Sequence, residues 1–187
     1  MKTNYFSAAI LGGAALLLSA VLPFSSLASP VEAVTPRDSQ AELSRLLKQA
    51  QVTAGQLASS TDQLNSYSRS NLTWQTHAEK VDEVKSQVNT LGRNLTEMEA
   101  LQADAAPWQD DAIRSIRPLL EQIADSTESV ILYIRENPRL INFAEYEDML
   151  ADKHELASEL ATLTKDYVKY GESKDKLEQL HTELDLT

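Results

Sequence analysis

The sequence predicts an all-α fold, an up-down-up-down four-helix bundle with a longer C-terminal helix, and three observations carry that prediction. The first is a stripe from Trp74 through His77, Val81, Val84, Val88, Leu91 and Leu95 to Met98, in unbroken steps of three and four residues, with polar residues such as Glu79, Lys80, Asp82 and Glu83 between. That spacing belongs to a helix with one buried face. The second is that three further stretches carry similar stripes, separated by short polar connections, and short connections make successive helices antiparallel neighbours. The third is the absence of cysteine from all 187 residues, which excludes disulfides, thiolate metal sites and covalently attached haem, and leaves the core to hold the fold.

The chain divides into residues 1–28, a leader over 29–38 and a bundle domain over 39–187. Residues 1–28 read as a secretory signal: Lys2 is followed by an uncharged apolar run from Ala8 to Phe24, and Ser26-Leu27-Ala28 supplies the small residues of a cleavage site, with Val31-Glu32-Ala33 as a second candidate. The expected address is therefore the periplasm or the exterior of a bacterial cell. Pro30, Pro36 and the lack of periodicity make 29–38 a flexible leader.

Ser39 with Glu42 forms a capping-box pattern, opening a first helix over about 39–68 with the stripe Leu43, Leu46, Leu47, Ala50, Ala54, Leu57, Thr61, Leu64 and Tyr67. Its small residues would let a neighbour approach closely. Asn71 and Thr73 are alternative caps for the second helix, which runs to about Ala103 with Gly92 inside it. The third helix is expected to begin with Asp104 as cap and Pro107 in its first turn, and carries Ile113, Ile116, Leu120, Ile123, Thr127, Val130 and Ile134. Pro118 should bend it, and the run Val130-Ile131-Leu132-Tyr133-Ile134, apolar nearly all round, should be its most buried part.

Asn137-Pro138 ends the third helix. Asn142 with Glu145 is the next capping box, flanked by Ile141 and Tyr146 in staple positions. The fourth helix then follows Tyr146, Met149, Leu150, Leu156, Leu160, Leu163, Tyr167, Tyr170, Leu177 and Leu184. At 1.5 Å per residue it would be about 60 Å long against about 45 Å for the others. Gly171, with Lys174 beside it on the stripe, is where it should bend, break or leave the bundle as an overhang.

The antiparallel topology brings Tyr67, Trp74, Tyr133, Phe143 and Tyr146 to one end and Trp108, Tyr167 and Tyr170 to the other. His77 falls inside the first group. It reads either as a core histidine bonded to a neighbouring tyrosine or carbonyl, or as a ligand-handling group in a small pocket lined by Tyr67, Trp74, Tyr133 and Tyr146.

A formal net charge of −11, one unit more acidic without Lys2, repels phosphate backbones and anionic headgroups, so nucleic acid is excluded as a partner class and membrane contact is not expected after signal cleavage. Glu178 and His181 have the Glu-x-x-His spacing of carboxylate-bridged metal sites, but those sites need two copies and this chain has one. Met98 and Met149 fit core stripes, leaving no obvious haem axial pair. No nucleophile elbow marks a hydrolase. The sequence implies no cofactor and names no catalytic residue.

The string Tyr67-Ser68-Arg69-Ser70-Asn71-Leu72-Thr73-Trp74-Gln75 with His77, and later Asn137-Pro138 and Tyr170-Gly171, resembles a set of small exported bacterial helical proteins without an assigned activity. That resemblance implies an all-helical domain and lends no site residues. The chain is also similar in size and address to periplasmic stress chaperones, but their paired Leu-Thr-x-x-Gln motif is absent, Leu72-Thr73-Trp74-Gln75 having the wrong spacing. The expected role is a protein-interaction or structural module that binds an unknown protein partner or itself, with Leu177, Leu180 and Leu184 as the contact surface. The alternative is a small-ligand or cofactor binder using the aromatic end.

Overall fold

A computed structural model describes residues 35–184, apart from 71, 140 and 142. The expected signal, most of the leader and the candidate caps Asn71 and Asn142 lie outside the described residues. Four α-helices, α1 (Pro36–Ser68), α2 (Trp74–Ala100), α3 (Pro107–Glu136) and α4 (Ala144–Glu183), form the bundle, with a short 3₁₀ turn at Gln102–Asp104 between α2 and α3. Among the described residues there is no strand, and no helix is long and apolar enough to cross a membrane. Each helix packs on two neighbours in the cyclic order α1, α2, α3, α4, and α1 barely meets its diagonal partner α3.

Local chemistry places the ends differently from expectation at two points. Helix α1 starts at Pro36 because Thr35 and Asp38 form the capping box, Thr35 Oγ1 accepting from the Asp38 N–H and Asp38 accepting from the Thr35 N–H. Ser39 is instead buried and donates from Oγ to Asp104 Oδ2 across 3.0 Å. Asp104 is thereby drawn away from α3, which Pro107 and Gln109 initiate, the Gln109 side chain accepting from the Ala106 N–H. Thr73 caps α2, and Phe143 stands at the start of α4.

The stripes of α1, α2 and α3 converge on one core: Leu43, Leu57, Leu64, Val84, Met98, Ile113, Ile123 and Val130 are fully buried. Pro118 lies within α3, which continues to Glu136. The Val130–Ile134 run is amphipathic rather than buried all round, since Leu132 is 44% exposed. Trp74, the first residue of α2, is also 44% exposed, and Tyr67 is only part-buried while Ser68 beside it is buried.

Helix α4 departs most from its predicted stripe. Its buried line is Tyr146, Leu150, Lys153, Ala157, Leu160, Thr164, Val168 and Gly171, whereas Met149, Leu156, Leu163 and Tyr167 flank the core and Tyr170 is exposed. Ala50 and Ala54 of α1 are buried as well, and α1 with α4 is the most extensive helix pair. The helix does not break at Gly171 and continues to Glu183. A Cβ there would stand 2.5 Å from Trp108 Cη2, so Gly171 exists to seat the indole. No such neighbour lies within 4 Å of a Cβ at Gly92.

Candidate functional site

At the end where α1 turns into α2 and α3 into α4, four of the five expected aromatic-site residues meet. His77 lies 6.0 Å from the Tyr67 ring and 5.5 Å from the Tyr146 ring, and Tyr133 stacks on Tyr146 at 5.5 Å, all between ring centroids. His77 and Tyr146 are fully buried. Trp74 does not join them, because the first turn of α2 carries its ring to the surface; Phe143, 57% exposed, also stays outside.

The chemistry of the cluster is that of a closed core. His77 Nδ1 and the Tyr146 hydroxyl are 3.1 Å apart. Burial holds the imidazole below its ordinary pKa, and the Tyr67 backbone carbonyl offsets part of that effect. Nε2 nevertheless makes no hydrogen bond of good geometry, and the Tyr67 carbonyl also accepts from the Ser70 N–H and Ser70 Oγ. A neutral ring that directs Nε2–H toward this carbonyl accepts the Tyr146 proton on Nδ1. Burial, then the neighbouring Tyr133, pushes the Tyr146 phenol well up. With ring against ring at these distances, the aromatic residues fill the space a ligand would need.

A second buried polar group was not legible in the sequence. Lys153, with no exposed surface, donates from Nζ to Thr127 Oγ1 at 2.5 Å, and Thr127 passes a hydrogen bond to the Ile123 carbonyl. Burial alone lowers its pKa from 10.5 to about 7. A lysine on the inner line of α4 would have been noticed only if that line had been read correctly, and larger apolar side chains on the flank obscured it.

The opposite end of the bundle carries the expected partner surface. Trp108 meets Tyr170 edge to face at 6.0 Å, and Lys48 of α1 bridges to Glu172 at 3.0 Å. Beyond Gly171 every described residue is exposed, thirteen in succession from Glu172 to Leu184 at the helix C-cap. Leu177, Leu180 and Leu184 are 58%, 41% and 63% exposed. Glu178 and His181 lie on the same exposed arm, and among the described residues no group of three or more His, Asp or Glu side chains is placed to hold a metal ion.

The α2/α3 face has an open groove beside Gly92, lined by Val88, Leu95, Leu120 and Ala124 among others. The fold and these surfaces define a class: an antiparallel four-helix bundle, closed by aromatic rings at one end and extended by one helical arm at the other. No protein-family model, curated protein or solved structure matches the chain.

Proposed function

We infer that the protein is an exported protein-interaction module, which presents the C-terminal arm of α4 to a protein. The single observation behind this reading is the arm itself: three leucines more than two-fifths exposed on a stretch, Glu172 to Leu184, of which every residue is exposed. An isolated helix of that length is marginal in water, and exposed leucines at helical spacing gain most by meeting another apolar face. The signal-like N-terminal pattern and the acidic charge support an exported setting without nucleic-acid or membrane partners.

The test is a photo-crosslinking residue placed at position 177 or 184 in the producing cells, with the exposed Glu128 position on α3 as control. The expected result is a discrete protein adduct from the arm positions and none from position 128. Equal labelling from all three, or none from the arm, would overturn the reading.

A further inference from the structure

We propose that the protein seen by this arm is a second copy of the same chain, the two arms pairing antiparallel as a short coiled coil. This rests on the arm being an interaction surface, and goes further by naming its occupant.

The sequence of α4 carries a seven-residue repeat along its whole length: Met149, Leu156, Leu163, Tyr170, Leu177, Leu184. Within the bundle, the positions three residues after each are Asp152, Glu159 and Asp166, all exposed. Past Gly171 those positions become Ser173 and Leu180. The arm keeps the first line and adds Leu180 beside Leu177 and Leu184, an apolar edge of coiled-coil spacing on the side of the helix where Asp152, Glu159 and Asp166 stand in the bundle. At 100° per residue, the Tyr170, Leu177, Leu180 and Leu184 face lies about 140° round the helix from the Leu160, Thr164 and Gly171 line. Longer neighbours in the same bundle would not cover it. A partner must come from outside.

Charge selects the partner and its direction. Lys174 and His181 border the seam on one side, Lys169, Lys176 and Glu183 on the other. Two parallel arms in register set Lys169 against Lys174 of the second copy and Lys176 against its His181, cation facing cation or imidazole. The antiparallel register that packs Leu177 on Leu180 of the second copy instead sets Lys176 beside Glu183, and symmetry makes that pair twice. Lys174 then faces His181 of the second copy, and no two lysines oppose each other.

Length agrees with the same register. The arm is about 20 Å long at 1.5 Å per residue, and this pairing puts Leu184 of each copy beside Ser173 of the other. Each tip reaches the foot of the opposite bundle, where Trp108 and Tyr170 stand. Both arms are used in full and the bundles remain apart. Two short arms bury less than the roughly 1,200 Å² of stable interfaces, so the dimer belongs to the weak class, with Kd on the order of 10–100 μM.

Sedimentation equilibrium of the purified chain from about 1 to about 200 μM at about pH 8 tests the proposal. The expected result is a reversible monomer–dimer equilibrium. Glu183→Lys or Lys176→Glu alone should weaken it about tenfold or more, and the two together should restore it. The chain has no cysteine of its own, so direction is read by oxidation. Leu177→Cys mixed with Leu180→Cys should give the crossed disulfide faster than either alone gives its own. Self-linking of Leu177→Cys in preference would mean parallel arms and overturn the proposal. Mass growing beyond the dimer would also overturn it, as expected if the arm docks head-to-tail in the α2/α3 groove. A monomer throughout, with a position-177 adduct in cells to a different protein, would remove self-pairing and leave the interaction reading standing.

Discussion

Helices α2 and α4 pack into the same core but use their large apolar residues differently. In α2 the residues that make the stripe are the residues that are buried, with only Trp74 outside. In α4 the buried line contains Lys153, Ala157, Thr164 and Gly171, while Met149, Leu156, Leu163, Tyr170, Leu177 and Leu184 lie beside or beyond the core. The difference teaches that a hydrophobic stripe reports where apolar surface is required, and the requirement can come from outside the domain. Small inner residues let α4 approach α1 closely, and the larger ones drift off the seam because a seven-residue repeat lags a straight helix by about 20° per heptad.

The largest test of that contrast is Lys153→Met, because α2 has no buried charge to compare. The folded pKa is about 7 against an ordinary value of 10.5. Between those values the unfolded chain holds a proton that the folded chain has lost, so stability should rise with pH across that window and be lowest below it. The difference is of order 3–5 kcal/mol. Lys153→Met should stabilise the bundle most below pH 7 and remove this rise, read by urea unfolding of both proteins at successive pH values. A parallel pH dependence in the variant would mean that the ammonium is not desolvated.

His77 and Trp74 sharpen the reading of α2. His77→Ala empties a buried site and strands the Tyr146 hydroxyl, for a loss of about 2–4 kcal/mol, whereas Trp74→Ala should change stability by less than about 0.5 kcal/mol. The His77 pKa is lowered by burial, so wild-type stability attributable to the neutral ring is present above the ordinary imidazole value and declines as pH falls below it. His77→Phe should lack that acid-side decline in thermal melts.

The two helical glycines give the next effect. Gly171→Ala drives a Cβ into Trp108 and should destabilise by about 1–3 kcal/mol despite alanine's helix preference. Gly92→Ala meets open space and should stabilise by about 1 kcal/mol. Smallest is Leu177→Ala on the arm, within about 0.5 kcal/mol for the monomer. If it proved as costly as a core substitution, the arm would not be the free surface described here.

Much of the fold is legible in the sequence. The stripes Leu43–Leu64, His77–Met98 and Ile113–Ile134 determined the faces of α1, α2 and α3, because in each the apolar residues at three- and four-residue steps form the dominant line, and packing that line inward hides most of the apolar surface. Short polar connections determined the antiparallel order, and with it the meeting of Tyr67, His77, Tyr133 and Tyr146. Tertiary structure alone decided which of two lines on α4 turned inward. The inward line holds Ala157, Thr164 and Gly171, and the Trp108 ring occupies the space over Gly171, so packing volume outranked hydrophobicity there. It also decided that Trp108 would fill the space over Gly171 and that Lys153 would be carried inside to Thr127. Those outcomes depend on what stands opposite each residue, which periodicity along one helix does not encode.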